Sequence, residues 1–514
     1  NIGNDQAYVD IRSRMYTPKE QMRKILASKD DRPLIYCEYA HAMGNSLGHL
    51  DTFVTMFRSY PKFAGGFIWD WVDQGLEKTT ADGETFMAYG GDFGEEINDN
   101  NFLANGLLYS DRTPQPKLFE AKHAFQPVEV SKDGQVFRIK SWLTHTNLNQ
   151  YDLEVRLVTL GGTKPLYKEQ APNVGPGGQV QYAVKGQVPE EALYLEFAFL
   201  QRVPEFGRPA GHEVAFDQIN LNLKPLQSSN LNSAAGLTYQ ETPAGLVFID
   251  KDSEITIDPK TGIINSVIIK GQELFAAPLR PNFWRAPTDN DKPAGLARRY
   301  APWQNAEPTL AGKNYSAGVL RLDRTYLEGK VKETVIIRYS GGKLLLTSSL
   351  QKTDAAAKIP GVFRYGLQTE LSKNYTTASW FGRGPYESYA DRFRGMRIGR
   401  HQMPIADLNT NYIKPAENGN HMDISRLTLT GSGTPSVRIL GDFNFSIWPY
   451  TQATLEAAEH TNDLVSATNY TLNIDYGQIG VGGDNSWMPN AAPYKEHLLE
   501  LDKPLSFRIS IGVK

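Results

Sequence analysis

The chain has 514 residues, 40% of them hydrophobic and 22% charged, a composition ordinary for a globular protein. Its length predicts two to four domains. A net charge of −3 supplies no basic field and argues against nucleic acid as a partner, and no apolar run approaches the ~20 residues of a membrane helix.

The chain opens Asn1-Ile2-Gly3-Asn4, with no initiator Met and no leader, as a cut chain would. Its one cysteine, Cys37, excludes an internal disulfide, which fits the cytoplasm and equally allows the periplasm. Residues 1–128 read as α/β. Leu34–Cys37 has the apolar character of a buried parallel strand. Leu50, Phe53, Val54 and Phe57, at steps of three and four, predict a helix that Pro61 stops. Gly65-Gly66 then leads into a second strand, Phe67-Ile68-Trp69, which completes one βαβ unit. A closed (β/α)8 barrel needs eight such units and ~250 residues. Roughly two fit here, so the segment reads as the last part of a barrel without its front.

From 129 to 225 the hydrophobic period becomes two, in Val136–Lys140, Leu153–Leu157 and Leu193–Phe197, with glycine-rich turns between. Several short strands in ~100 residues predict an immunoglobulin-like β-sandwich. Pro225 to Ala235 reads as a linker. From 236 to 514 the chain is again mostly β, with strand cores at Ile255-Thr256-Ile257, Val335-Ile336-Ile337 and Leu344-Leu345-Leu346. These residues predict a large two-sheet sandwich, with a short helix over Thr451 to His460 capped by Thr451.

Glu38 ends the first strand, at the position where barrel enzymes keep their chemistry. A glycosidase needs two carboxylates at the scissile bond, and Glu38 has the place of a nucleophile that Tyr36 and Tyr39 could hydrogen-bond. A structural ion pair explains a strand-end Glu about as well. His41 is either a sugar ligand or a solvated loop residue. Trp69 is either an apolar wall or a core Trp. Asp70 and Asp73 are further carboxylates that also suit caps or ion pairs. Tyr89 to Gly94 is a tight turn rather than a phosphate loop, since no Lys-Ser or Lys-Thr follows. Asn98, Phe102 and Asn105 lie just beyond it and suit a hard cation or turns equally. Gly482 to Trp487 reads as a flexible turn whose Trp either stacks on a sugar or anchors its own loop.

Taken together, Cys37-Glu38-Tyr39-Ala40-His41-Ala42-Met43-Gly44-Asn45-Ser46 closely resembles the nucleophile segment of the large bacterial β-galactosidases of glycoside hydrolase family 2. Gly65 to Gln74, Tyr89 to Gly94, Asn105-Gly106-Leu107, Arg285 to Asp291, Gly384-Pro385, Glu417-Asn418-Gly419 and Gly480 to Trp487 match in order as well. The resemblance implies the end of a (β/α)8 barrel, a β-sandwich, and a galactose-mutarotase-like β-supersandwich. It implies Glu38 as the nucleophile that forms a galactosyl-enzyme, Tyr16 and Met15 beside it, His41 at the hydroxymethyl end of galactose, and Trp69 under the sugar. Trp487 would form the aglycone side. The carbonyl of Phe102 and the side chain of Asn105 would be part of a sodium site that touches galactose, and Asn98 would lie by a second metal region. A β-galactoside is the implied substrate, with sodium and magnesium as cofactors of a homo-oligomeric parent.

The departures are as informative. The family's acid/base Glu stands in an Asn-Glu dipeptide, and this chain has none. The magnesium ligands belong to the same missing front. Without proton donation a term worth roughly 10²–10⁴-fold is lost, so the isolated chain is expected to be nearly inactive. A related β-glycosidase of other sugar specificity, or a non-catalytic carbohydrate-binding or structural β module, are the alternatives.

Overall fold

The computed structural model describes residues 7–221, 238–243, 245–249, 252–354 and 358–514. The linker expected at Pro225 to Ala235 and the opening Asn1-Ile2-Gly3-Asn4 lie outside the described residues. At the front, β1 (Arg12–Met15), α1 (Lys19–Leu26), β2 (Leu34–Tyr39), α2 (Leu50–Ser59) and β3 (Phe63–Ile68) alternate. The strands pair in parallel in the order β1-β2-β3. Met22 and Leu26 of α1 and Phe53 and Val54 of α2 pack in one core with Leu34, Tyr36 and Tyr39 of β2. Helices stacked outside a parallel sheet make an arc of a (β/α)8 barrel, and among the described residues the arc holds three strands and does not close.

Two boundaries differ from expectation. The first strand runs on to Tyr39, so Glu38 lies inside it. The next strand is Phe63–Ile68, with Gly65 and Gly66 in its interior rather than before it. A Cβ on Gly66 would stand 2.7 Å from Tyr36 Cβ and 2.9 Å from Tyr39 Cδ1, so the two tyrosines of β2 require a bare backbone opposite them. A third helix, α3 (Pro116–Ala124), begins on a proline and closes the core of the arc with Ala121 and Ala124.

Next come two antiparallel sheets. Val128–Asp133, Val136–Ser141 and Gln179–Tyr182 form one, and Tyr151–Thr159, Gly162–Gln170, Tyr194–Gln201 and Glu213–Asn220 form the other. Leu153, Val155, Phe197 and Phe199 meet Val128, Val130 and Ile139 between them, as in an immunoglobulin-like sandwich. Tyr194–Gln201 departs from strict alternation because both its faces are covered. On its far side Glu196 pairs with Arg156 at 2.8 Å and with Arg397 of the following region at 3.2 Å.

The remaining chain builds a five-stranded sheet, from Thr238–Thr242 to Gln272–Glu273, and a twelve-stranded sheet, counted among the described residues. One continuous core joins them. Val331–Ser340 shows why, since Val331, Val335, Ile337 and Tyr339 turn inward at every second position. The short helix forms at Gln452–Ala457, with the Thr451 hydroxyl accepting from Thr454 N at 3.1 Å. A buried ion network holds the middle of this region. Arg285 pairs with Asp291 at 2.8 Å, and Arg364 with Asp475 at 2.6 Å and Glu417 at 3.2 Å. Gln478 bonds both Glu417 and Arg285.

The loop after β2 is inserted into this last region. Asn45 Nδ2 donates to Glu417 O at 2.6 Å, Arg392 to Ser46 O at 2.6 Å, and Gly48 N to Gly482 O at 2.7 Å. Gly483, at φ +129°, stands where a Cβ would lie 2.9 Å from Leu47 N, so glycine is what lets the two loops meet. The Gly480–Asn485 stretch is buried in this contact, which corrects the expectation of a flexible turn.

Candidate active site

Strict alternation along β2 would put Glu38 on the same face as Leu34 and Tyr36, beneath the helices. The register slips instead. Tyr36 pairs with Gly66 and Tyr39 with Ile68, leaving Cys37 and Glu38 opposite the single residue Phe67. Toward β1, Arg14 pairs with Tyr36 and Met15 with Glu38, so Cys37 is the extra residue. This bulge hands the helix-facing position to Tyr39 and turns Glu38 to the inner face, at the C-terminal end of its strand.

Tyr36 and Tyr39 therefore do not hydrogen-bond Glu38, contrary to expectation. Tyr36 donates to Thr17 O at 2.6 Å, and Tyr39 packs edge-on against Phe53 and Phe57. Tyr16 stands beside the carboxylate instead. It follows β1 at φ +48°, and its N–H donates to Glu38 O at 3.1 Å. Burial pushes the Tyr16 phenol well above its ordinary range, and the Glu38 charge pushes it further. The phenol thus stays protonated, and its hydroxyl, buried without a hydrogen-bond partner, is available as a donor beside Glu38. Met15 is half-buried next to it.

Three further aromatic groups gather around Tyr16. Trp487, 41% exposed, meets the Tyr16 ring edge-on at 4.6 Å and the His41 ring at 5.3 Å. Phe102 stacks on His41 at 4.8 Å and leans on Trp487 at 5.7 Å. His41 is buried, with Nδ1 2.8 Å from Ser486 Oγ and Nε2 without a hydrogen-bond partner. Burial pushes its pKa down to about 3, with Lys117 acting in the same direction, so the ring is neutral. Trp69 is 38% exposed and not a core residue; its N–H donates to Tyr39 O and its carbonyl accepts from Ala42 N. Residues from the arc and from the end of the chain thus form one aromatic cluster around Tyr16, which neighbours Glu38.

Asp70 is used locally, accepting from Trp71 N and from Gln74 Nε2 at 2.9 Å. Asp73 is buried, accepts from Gly106 N and Gln115 Nε2 at 2.6 Å each, and is pushed up to about 6 by burial. Lys117 was not foreseen. It is wholly buried on α3 and donates to the carbonyls of Ala42 and Gly44 in the loop after Glu38. Its neighbours Leu118 and Ala121 also pack in the arc's core, so periodicity marks the helix and not the one polar group inside it.

The expected cation ligands are only partly together. Asn105 Nδ2 donates to Phe102 O at 3.0 Å, and Asn105 Oδ1 accepts from Gln74 Nε2 at 3.3 Å. A half-turn of the Asn105 amide would present two oxygens to a cation, fewer than the about six a hard cation takes. Asn98 is exposed and committed to a turn, donating to Glu95 O and accepting from Asn100 N. Among the described residues no group of three or more His, Cys, Asp or Glu side chains could hold a metal. The Tyr89 turn reaches the last region rather than Glu38, through Tyr89 OH to Glu459 O at 2.6 Å and Asp92 to His460 at 2.9 Å.

The family model described as "Beta galactosidase small chain" matches residues 249–511, more than half of the chain. This chain belongs to the β-galactosidase family. "Glycosyl hydrolases family 2, TIM barrel domain" matches residues 4–130, and "Beta-galactosidase, domain 4" matches residues 137–222. A β-galactosidase of Priestia megaterium is 32% identical over 94% of this chain and 48% of its own length. One of Alteromonas mediterranea is 34% identical over 97% of this chain and 52% of its own length. The chain spans about half the length of these curated relatives. A putative aldose 1-epimerase of Escherichia coli K12 overlays 54% of the chain at 11% identity and a TM-score of 0.30, a likeness too low to bear on the function.

Proposed function

We propose that this chain supplies the nucleophile side of a retaining β-galactosidase acting on terminal β-D-galactosyl residues. The observation that carries the reading is the bulge that takes Glu38 out of the helix-facing alternation and leaves it beside Tyr16, whose ring meets Trp487. A Glu38 oxygen attacks the anomeric carbon as the bond to the aglycone oxygen breaks. Tyr16, kept protonated, steadies the carboxylate and its ester. His41 Nε2, neutral and unpartnered, is free to bond a sugar hydroxyl. Trp69 and Trp487 offer apolar faces to the sugar and the aglycone. Water, giving its proton to the residue that had protonated the aglycone, then attacks the same carbon and releases galactose and the Glu38 carboxylate.

The proton for the leaving oxygen must come from a second carboxyl group. The chain has no Asn-Glu dipeptide, so that group is assigned to a segment outside this sequence, and this chain by itself is nearly inactive. A sodium ion is assigned to Phe102 O and Asn105, completed by ligands from the same segment. Magnesium binding and homo-oligomer assembly belong to the full-length protein, with neither nucleic acid nor membrane as a partner. Hydrolysis of an aryl β-galactoside by this chain, with and without a fragment carrying the remaining barrel strands, tests the reading. Activity at full-length levels from this chain alone would overturn the assignment of the acid.

A further inference from the structure

Lys117 enters at the second position of α3, where the helix dipole disfavours a cation, and its side chain is wholly buried. Among the described residues no carboxylate comes within ion-pair distance of it. Burying a cation in that state costs several kcal/mol. The ammonium spends its hydrogen bonds on backbone, donating to Ala42 O and, at 2.8 Å, to Gly44 O. These carbonyls lie in the turn that directly follows His41. Ala40, at φ +50°, and Gly44, at φ +52°, are both left-handed, and for Ala40 that conformation is strained. Burial pushes the Lys117 pKa down to about 7, and the charges around it come from several elements: Asp73, Glu387 and Asp289 favour the charged form and Arg392 opposes it. The ring of Tyr412 lies 5.6 Å from Nζ. Asp73 is itself fixed by Gly106 N and Gln115, so the countercharge does not move.

We propose that Lys117 is a positioning residue, whose ammonium pins the turn after Glu38 and so sets where Glu38 and His41 stand. The proposal rests on the reading of Glu38 as nucleophile. Lys117→Met keeps the stem and removes the charge and donors. A second variant, Lys117→Met with Asp73→Asn, leaves no uncompensated carboxylate and carries the test if the single variant fails to fold. In the chain reassembled with a fragment carrying further barrel strands, either variant lowers kcat/KM on an aryl β-galactoside by roughly 10²-fold, mostly in kcat, as a misplaced reacting group does. Because Lys117 acts through the loop, its loss and that of His41→Ala combine less than additively. An unchanged kcat, or fully additive losses, would overturn the proposal. If the reassembled wild type is inactive, the functional reading fails, and the positioning claim is decided separately by hydrogen exchange in this chain. Faster exchange confined to amides 41–45 in Lys117→Met supports it, and unchanged exchange there overturns it.

Discussion

His421 shows what burial does to a single residue here. The His421 ring lies between two carbonyls, Gly419 O at 2.9 Å and Pro385 O at 3.0 Å. Burial pushes its pKa down to about 4, against the pull of those carbonyls. Between about 6.5 and 4 the unfolded chain takes up a proton that the native ring refuses. Stability is therefore lost as pH falls through that window, by an amount on the order of 3 kcal/mol. Asp73 and Asp475, pushed up to about 6 by burial, act in the opposite sense. On going from pH 7 to pH 4.5 the urea midpoint should therefore shift downward in the wild type relative to the shift in His421→Gln, where the His421 loss is removed and the gains from Asp73 and Asp475 remain. An equal shift in both proteins would mean that the native ring, with a carbonyl at each nitrogen, keeps its proton. That His41 and Trp487 belong together was legible only through the resemblance of their motifs, and the two rings do meet, at 5.3 Å. The partners of Glu38 were not legible in the residues alone: alternation favoured Tyr36 and Tyr39, and a bulge has no signature in hydrophobic period.

At the scale of elements, the join between β2 and β3 holds the strand that carries Glu38. Gly66 faces Tyr36 with no room for a methyl group. Gly66→Ala should force the strands apart and destabilise the arc by about 1–3 kcal/mol, seen as a lowered unfolding temperature. A stability equal to wild type would mean that the tyrosines can yield. The same glycines explain why sequence reading set this strand four residues late: a Gly-Gly pair reads as a turn until the two rings opposite it are known. β1 and α1 escaped for a different reason. β1 has four residues, including Arg12 and Arg14, both buried, and their polarity hides a strand whose charges turn back onto local carbonyls. The long β strands were legible, since period two is unambiguous over stretches such as Val331–Ser340.

At the scale of the whole molecule, the aromatic cluster around Tyr16 joins the end of the chain to its beginning. Gly48 bonds Gly482, Arg392 bonds Ser46, and Trp487 closes on Tyr16. The ion network of Arg285, Asp291, Arg364, Glu417 and Asp475 underlies that contact. Removing Arg364 would leave two buried carboxylates short of a partner. Arg364→Met should therefore cost about 3–5 kcal/mol, measured by denaturant unfolding, and a cost below about 1 kcal/mol would show that the network is dispensable. Such long-range closure cannot be read from local pattern, whereas the motifs at its two ends can.

The most direct test is hydrolysis of an aryl β-galactoside by this chain mixed with a fragment carrying further barrel strands, beside the same mixture carrying Glu38→Gln. Activity that appears only on mixing and falls by three or more orders of magnitude, roughly, in Glu38→Gln is the predicted result. Activity that survives Glu38→Gln would contradict the assignment of Glu38 as the nucleophile.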